Sequence, residues 1–164
     1  MDLKIDDKAI RAHVATLLDW EHAHVGFDTA VKGIPVRLRG VVPRGWGYSA
    51  WQLVEHIRIA QADILEFCVS AHYKEKKWPD DYWPKSPAPR NAAAWSASLG
   101  VIRKDRKTLQ RLATNPKIDL TAAIPHGTGQ TYLRELLLIA DHTAYHVGQI
   151  VALRRQLGIW ESKK

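Results

Sequence analysis

The stretch Asp141-His142-Thr143-Ala144-Tyr145-His146-Val147-Gly148-Gln149 lies inside a long apolar run of this 164-residue chain. Residues four apart on a helix share one face, with Cβ atoms about 5–6 Å apart, so His142 and His146 form a pair that can clamp a transition metal. The same spacing is common in helices whose histidines belong to an ordinary core or surface. A third ligand from elsewhere in the chain would identify a metal site.

The helix that carries this pair is predicted to be capped by Thr131 and to continue to Leu157, because Gly158 suits the position after a helix end. One stripe holds its polar groups: Glu135, Leu138, His142, Tyr145, His146, Gln149 and Leu153. The opposite stripe is apolar: Leu133, Leu137, Ala140, Ala144, Val147 and Val151. A helix that is apolar on both sides is buried on both, so a long loop or a second subunit must cover it. The small residues Ala140, Ala144 and Gly148 favour a second subunit, and we predict a symmetric homodimer.

Three more helices are predicted before this one. The first runs from about Asp6 to Val31, and its inward stripe contains Ile10, His13, Leu17, Trp20, His24, Phe27 and Val31, with His22 on the outer face. The second follows a Ser49–Gln52 capping box and covers residues 50–73. The third covers residues 91–114 and serves as scaffold, with Trp95, Leu99, Ile102, Leu109 and Leu112 inward.

Three long connections separate these helices. Residues 32–48 are rich in Gly and Pro and contain a short extended piece at Val36–Val42. Residues 74–90 carry Trp78, Tyr82 and Trp83, which either cover the end of a bundle or contact a substrate. Residues 115–130 form the last connection. The pattern predicts a single all-α domain over residues 1–164, built as a four-helix bundle with long connecting loops.

The second predicted helix supplies the missing metal ligand. Its residues Gln52, His56, Ala60, Asp63 and Phe67 share one face, and polar groups on an apolar face are costly unless they are paired or ligated. His56 can therefore join His142 and His146. Imidazole ligands suit Zn, Ni, Fe or Cu, and three protein ligands leave an open position, as in catalytic rather than structural zinc sites.

Composition limits the other functions. The single cysteine, Cys68, excludes a disulfide framework and a cysteine-based zinc module, and its apolar surroundings indicate a core residue. The net charge of +7 comes from scattered Lys and Arg, so we expect no nucleic-acid binding. No membrane span and no signal peptide are expected, which favours a cytoplasmic protein.

The combination of Ser-Ala-Trp-Gln-Leu-Val-Glu-His56 with His142-x-x-x-His146-x-Gly-Gln resembles the DinB-like superfamily of metal-binding four-helix bundles. The resemblance covers most of the chain, from the Trp20 helix to Arg154-Arg155-Gln156-Leu157-Gly158. It implies an up-down-down-up bundle, often dimeric, with His56, His142 and His146 as metal ligands for Zn, Ni or another divalent ion. The family includes thiol-dependent S-transferases, isomerases and members classed as metal-dependent hydrolases, and it implies no DNA polymerase.

Two functions follow. In the first, an enzyme uses Zn or Ni, with Fe or Mn as alternatives, to activate water or a low-molecular-weight thiol towards a small electrophile. Its candidate catalytic helpers are His24 as general base, with His13 a weaker choice, Asp63 as the residue that orients His56, and Gln149 as a hydrogen-bond donor in the pocket. In the second, the chain is a non-catalytic metal- or ligand-binding stress-response protein. A pocket that reaches the metal from solvent would favour the enzyme.

Overall fold

The computed structural model describes residues 7–160 of the chain, and these are helical without named strands. The helices are α1 (Asp7–Leu17), α2 (Phe27–Val31), α3 (Ala50–Val69), α4 (Ala92–Thr114) and α5 (Tyr132–Gln156). The β contact in the described part is an isolated antiparallel bridge between Ala123 and Thr131. Helix α3 packs against α4 and α5, α1 packs mainly against α4, and α2 packs against α5. The all-α prediction is confirmed.

The three long helices begin where the sequence predicts. The Ser49 side chain accepts from the Gln52 backbone N–H while Gln52 caps the Ser49 N–H, so the capping box before α3 is confirmed. The Asn91 and Thr131 side chains cap α4 and α5 by accepting from the backbone N–H groups of Ala94 and Arg134. Helix α5 ends next to Gly158, whose φ of 67° favours glycine. The helix starts could be predicted because a cap involves a side chain and a backbone N–H only three residues apart in the sequence.

Helix α3 and the connection before it differ from prediction. The helix ends at Val69 rather than near residue 73, because Ser70 adopts an extended backbone with ψ of 115°. The predicted extended piece at Val36–Val42 is wrong, since Val36–Leu38 form a 3₁₀ turn that follows Pro35. The structure therefore has a helical turn, and no strand, within Val36–Val42.

The predicted first helix of residues 6–31 is also wrong. Asp6 lies outside the described residues, and α1 ends at Leu17, where Asp19 and Trp20 bond back three residues and tighten the last turn. An irregular segment then leads to Gly26, whose extended backbone begins α2. Because residues 18–26 are not helical, the helical stripe does not continue.

This break changes where the N-terminal histidines lie. His13 on α1 and His24 in the segment before α2 are both exposed, so the prediction that they face the core is wrong. His24 Nδ1 lies 2.9 Å from the backbone oxygen of Val25. His22 is exposed, as predicted.

The core consists of two clusters of buried residues. One is formed by α2, the first half of α3, α4 and the end of α5, and includes Ile57, Ile102 and Leu153. The other is formed by α1, the end of α4, residues 118–124 and the start of α5, and includes Leu109 and Leu136. Along α5 the two histidines fall between residues of the first cluster and residues of the second. The packing of both ends therefore fixes the part of α5 that carries them.

Most of the second apolar face of α5 is covered by the same chain, whereas Leu137 on that face is 44% exposed. Ala140 packs in a cluster with Val14 and Leu18 of the N-terminal segment, and Val147 packs in a cluster with Phe27 of α2. Gly148 is exposed, and a Cβ there would meet no described atom within 4 Å. The buried part of this face therefore needs no second subunit to cover it. The homodimer stays a prediction, and the apolar face of α5 no longer supports it.

Helix α5 is also long and apolar enough to cross a membrane by length and composition, with a mean hydropathy of 1.2 over the best window. The expectation of no membrane span stays a prediction. Of that window, 44% is buried inside the protein. A core helix of this length has the same composition as a span, so the measure does not distinguish the two.

Candidate metal centre

Three histidine rings meet between α3 and α5. His142 Nε2 lies 3.0 Å from His56 Nε2 and 3.1 Å from His146 Nε2. All three ligand atoms lie within 4.8 Å of one another, and His56 and His146 are buried. The structure thus brings together the three predicted ligands, which could hold a metal ion.

The other ring nitrogens fix the tautomers of two of these histidines. His56 Nδ1 lies 2.9 Å from the backbone oxygen of Tyr82, which can only accept a hydrogen bond, so Nδ1 carries the proton. His146 Nδ1 lies 2.7 Å from Gln149 Oε1 and is a donor for the same reason. In the neutral rings both Nε2 atoms then have free lone pairs directed at the cluster. This is the tautomer that a metal needs.

Burial keeps the cluster neutral. It lowers the pKa of His142 to about 4, with smaller contributions from its two histidine neighbours. Burial also lowers the pKa of His56 and of His146, although the bonds to Tyr82 and Gln149 act in the opposite direction. Neutral imidazole is the form that binds metals, so near neutral pH the protein does not have to lose protons first.

The spacing of the rings fits a divalent ion. Zinc–nitrogen bonds of about 2.0–2.1 Å in tetrahedral geometry place nitrogens about 3.3 Å apart, which is close to the 3.0 and 3.1 Å that separate His142 Nε2 from the other two ligand atoms. Nitrogen atoms this close together are poorly satisfied without a cation. Because Nδ1 carries the proton in His56 and in His146, the Nε2 atoms of both rings can only accept. A proton on His142 Nε2 can be directed well at one of these two acceptors, and not at both. The donor set therefore fits a metal better than a hydrogen-bonded cluster.

An aromatic stack holds the His56 ring in place. The Trp83 ring lies parallel to His56 at 3.9 Å between centroids, and Tyr48 stacks on the other side of Trp83 at 3.8 Å. Trp83 and Tyr82 are neighbours in the long connection between α3 and α4. That connection therefore fixes His56 twice, through the Tyr82 carbonyl and through the Trp83 ring.

The connection is tied to the start of α3. Ser49 Oγ donates to the backbone oxygen of Pro87, in addition to capping the helix. Gly40 lies so close to Ala88 that a Cβ there would overlap it, so only glycine fits. These contacts keep the aromatic residues over the metal centre. The sequence predicts that this connection either covers the end of a bundle or contacts a substrate. In the structure it covers the histidines and also lines the cavity described below.

We expect Trp83→Ala to weaken metal binding about 10–100-fold, as loss of a residue that orients a ligand commonly does. The His56 ring would lose the stacked partner that holds its plane. Competition with a chromophoric chelator measures the affinity. Trp78→Ala is the matched control, because the Trp78 ring is 67% exposed and lies 6.4 Å from His56 without stacking. Equal affinities of the two variants would contradict this role.

A cavity of about 570 Å³ extends from the histidines to the surface. His56 and His142 form part of its wall, and exposed residues such as Trp78 and Thr128 lie at its mouth. Its remaining lining comes from α3, α5 and the connections of residues 70–91 and 115–131. A small molecule can therefore approach the metal centre from solvent.

The predicted helper residues lie in different places. Asp63 does not bond to His56; it accepts from the hydroxyls of Tyr82 at 2.6 Å and Tyr73 at 3.3 Å, so it acts on His56 only through Tyr82. Gln149 is not part of the cavity wall, and it orients His146 instead of donating into the pocket. His24 lines a separate cavity of about 250 Å³ next to α5. Of the three candidates, Asp63 alone lines the cavity of the metal centre.

Several residues of the site were missed in the sequence. Trp83 and the Tyr82 carbonyl act on His56 across 26 or more positions, and no local pattern marks such contacts. Arg134, Glu135 and His126 also line the cavity. Glu135 could have been found, because it lies on the same helical stripe as His142. Cys68 is buried, and burial raises its pKa to about 12, as suits the predicted core residue.

The comparisons with known proteins add no relative to this description. No family model matches the chain, and no curated protein and no solved structure matches it either.

Proposed function

We propose that this protein is a metal-dependent enzyme in which His56, His142 and His146 hold a divalent ion, Zn or Ni in preference to Fe or Mn. The observation that carries the proposal is the cavity of about 570 Å³ that connects two of these histidines with solvent. A purely structural metal is normally enclosed by four protein ligands, whereas here three candidate ligands meet and two of them, His56 and His142, line an open cavity. We also propose that the chain is a DinB-like, up-down-down-up four-helix bundle, as the sequence resemblance implies.

The bound ion would supply Lewis acidity and lower the pKa of water or of a low-molecular-weight thiol towards neutrality. The protein's own residues perform the positioning. Tyr82, Trp83 and Gln149 orient the histidines, and the buried walls of the cavity hold a small electrophile and limit access of water. We propose hydrolysis or thiol transfer as the reaction.

Turnover by the metal-loaded protein tests this proposal. The assay compares ester and amide substrates with small thiols plus an electrophilic aromatic acceptor. Leu138→Trp narrows the cavity one helical turn from His142 while leaving all three ligands in place. We expect this variant to retain one equivalent of metal and to lose at least about 90% of the activity, as blocked access to an open metal position requires.

Activity that is unchanged in Leu138→Trp would show that the reaction does not occur in this cavity. Metal binding without turnover of any of these substrates would favour the alternative, a metal- or ligand-binding protein without catalysis. Thermal melts of the variant and of the wild type show whether the substitution disturbs the fold.

A further inference from the structure

Carboxylates line the same cavity at a fixed distance from the histidines. Asp63 lies seven residues after His56 on α3, and Glu135 lies seven residues before His142 on α5. Because a helix rises about 1.5 Å per residue, each pair is about 10 Å apart along its helix axis. The cavity therefore has histidines in one region and carboxylates in another.

Asp63 is the buried carboxylate of this cavity that has no cationic partner among residues 7–160. Glu135 is paired with Arg134, whose Nη1 lies 2.6 Å from Glu135 Oε1. Asp63 is 5% exposed, and its Oδ2 accepts the two tyrosine hydroxyls. Its Oδ1 is buried and has no hydrogen-bond partner within residues 7–160. Buried polar atoms are nearly always satisfied, so the unpaired oxygen of a carboxylate that lines a cavity points to a donor that residues 7–160 do not supply.

Aromatic rings form the wall around this carboxylate. Phe67 and Tyr73 pack edge to face at 5.1 Å, and Trp78 and Tyr82 lie 5.4 Å apart. All four line the cavity together with Asp63. Aromatic faces attract cations, and aromatic walls combined with a carboxylate are typical of sites that bind ammonium groups. An anionic ligand would be repelled by Asp63 and would gain nothing from the rings.

The acidic part of the cavity wall contrasts with the net positive charge of the whole chain. The protein carries a net charge of +7, which repels cations in general. Glu75 also lines the cavity near Tyr73 and adds a further negative charge. An acidic, aromatic cavity in a basic protein is therefore a local exception that favours one kind of ligand.

We propose that the substrate of the metal centre is an amine, whose ammonium group binds Asp63 and the surrounding rings about 10 Å along the cavity from the group that reacts at the histidines. The reacting end of this inference rests on the proposed function. The ammonium end rests on Asp63 and the aromatic wall alone.

Two hydroxamates that differ only in the amine test the proposal. Hydroxamates bind open metal positions, so the zinc-loaded protein is titrated calorimetrically with ε-aminocaproyl hydroxamate and with caproyl hydroxamate. We expect the amine to bind at least about tenfold more tightly. Asp63→Asn keeps the volume and the oxygen that accepts from the tyrosines, and it should reduce the preference to less than about threefold. Tyr73→Phe keeps both ring and carboxylate and should retain the preference.

Equal affinity of the wild type for the two hydroxamates, or an undiminished preference in Asp63→Asn, would overturn the amine assignment while leaving the metal centre intact. A second titration uses metal-free protein with hexylamine and hexanol. If neither hydroxamate binds but hexylamine exceeds hexanol in the wild type and not in Asp63→Asn, the ammonium site is supported and the proposed function fails. If hexylamine shows no preference over hexanol that depends on Asp63, the ammonium site is wrong.

Discussion

His142→Ala is expected to abolish stoichiometric binding of a divalent metal. His142 Nε2 is the atom that lies within 3.1 Å of both other ligand atoms, so its loss leaves two imidazoles and an open side towards the cavity. Removal of a residue that only orients a ligand already costs about 10–100-fold in affinity, and removal of the ligand itself should cost more than about 100-fold. Elemental analysis after loading with Zn or Ni, followed by competition with a chelator, measures the effect.

His126→Ala is the matched control for this experiment. His126 lines the same cavity, but its Nε2 lies 2.8 Å from the Phe67 backbone oxygen and it is not a member of the histidine cluster. It should bind one equivalent of metal with wild-type affinity. If His142→Ala also retains one equivalent with unchanged affinity, the three-histidine centre is wrong.

Arg154→Ala should destabilise the protein more than any surface substitution. Arg154 is 8% exposed, and its guanidinium donates to the backbone oxygens of Thr29, Ala30 and Ile159. It thereby satisfies carbonyls at the end of the short helix α2 and joins that helix to α5. The Trp160 ring lies 4.7 Å from the guanidinium carbon and covers it.

Loss of this side chain removes the donor to the buried Ala30 carbonyl and to the partly buried Thr29 and Ile159 carbonyls, which we expect to lower the free energy of unfolding by about 3 kcal/mol. For a chain of this size the melting temperature would fall by roughly 6–12 °C. Arg155→Ala is the control, since Arg155 is exposed and neighbours Arg154 on α5; it should change stability by less than about 0.5 kcal/mol. Denaturant unfolding of both variants makes the comparison, and equal stabilities would contradict the capping role.

The sequence by itself determined the long helices and which of their faces carry histidines. The caps at Ser49, Asn91 and Thr131 and the glycine at 158 are local signals, because they involve backbone groups within three or four residues. The i, i+4 spacing of His142 and His146 and the position of His56 on its helix are local in the same sense. Helical geometry converts such spacings directly into shared faces.

Only the tertiary structure decided how these elements meet. The break between α1 and α2, the cover over the second face of α5 and the exposure of His24 depend on packing between residues far apart in the chain. The helical periodicity continues through residues 18–26, but these residues are not helical, and Phe27 packs in one cluster with Val147 of α5. A local sequence pattern does not determine whether the helix continues or the chain turns, because the free energies of both arrangements depend on burial against residues far away in the chain.

The opening histidine pair shows the same division. The sequence of Asp141–Gln149 showed the spacing of His142 and His146, and it showed that a metal site would need a third ligand. The tautomer of His56, set by a carbonyl 26 residues away, and the Trp83 stack that holds its ring were not readable. The sequence determined which side chains can bind a metal, since that is their chemistry. The fold decided their orientation and access to solvent, since both arise where α3, α5 and a distant connection come together.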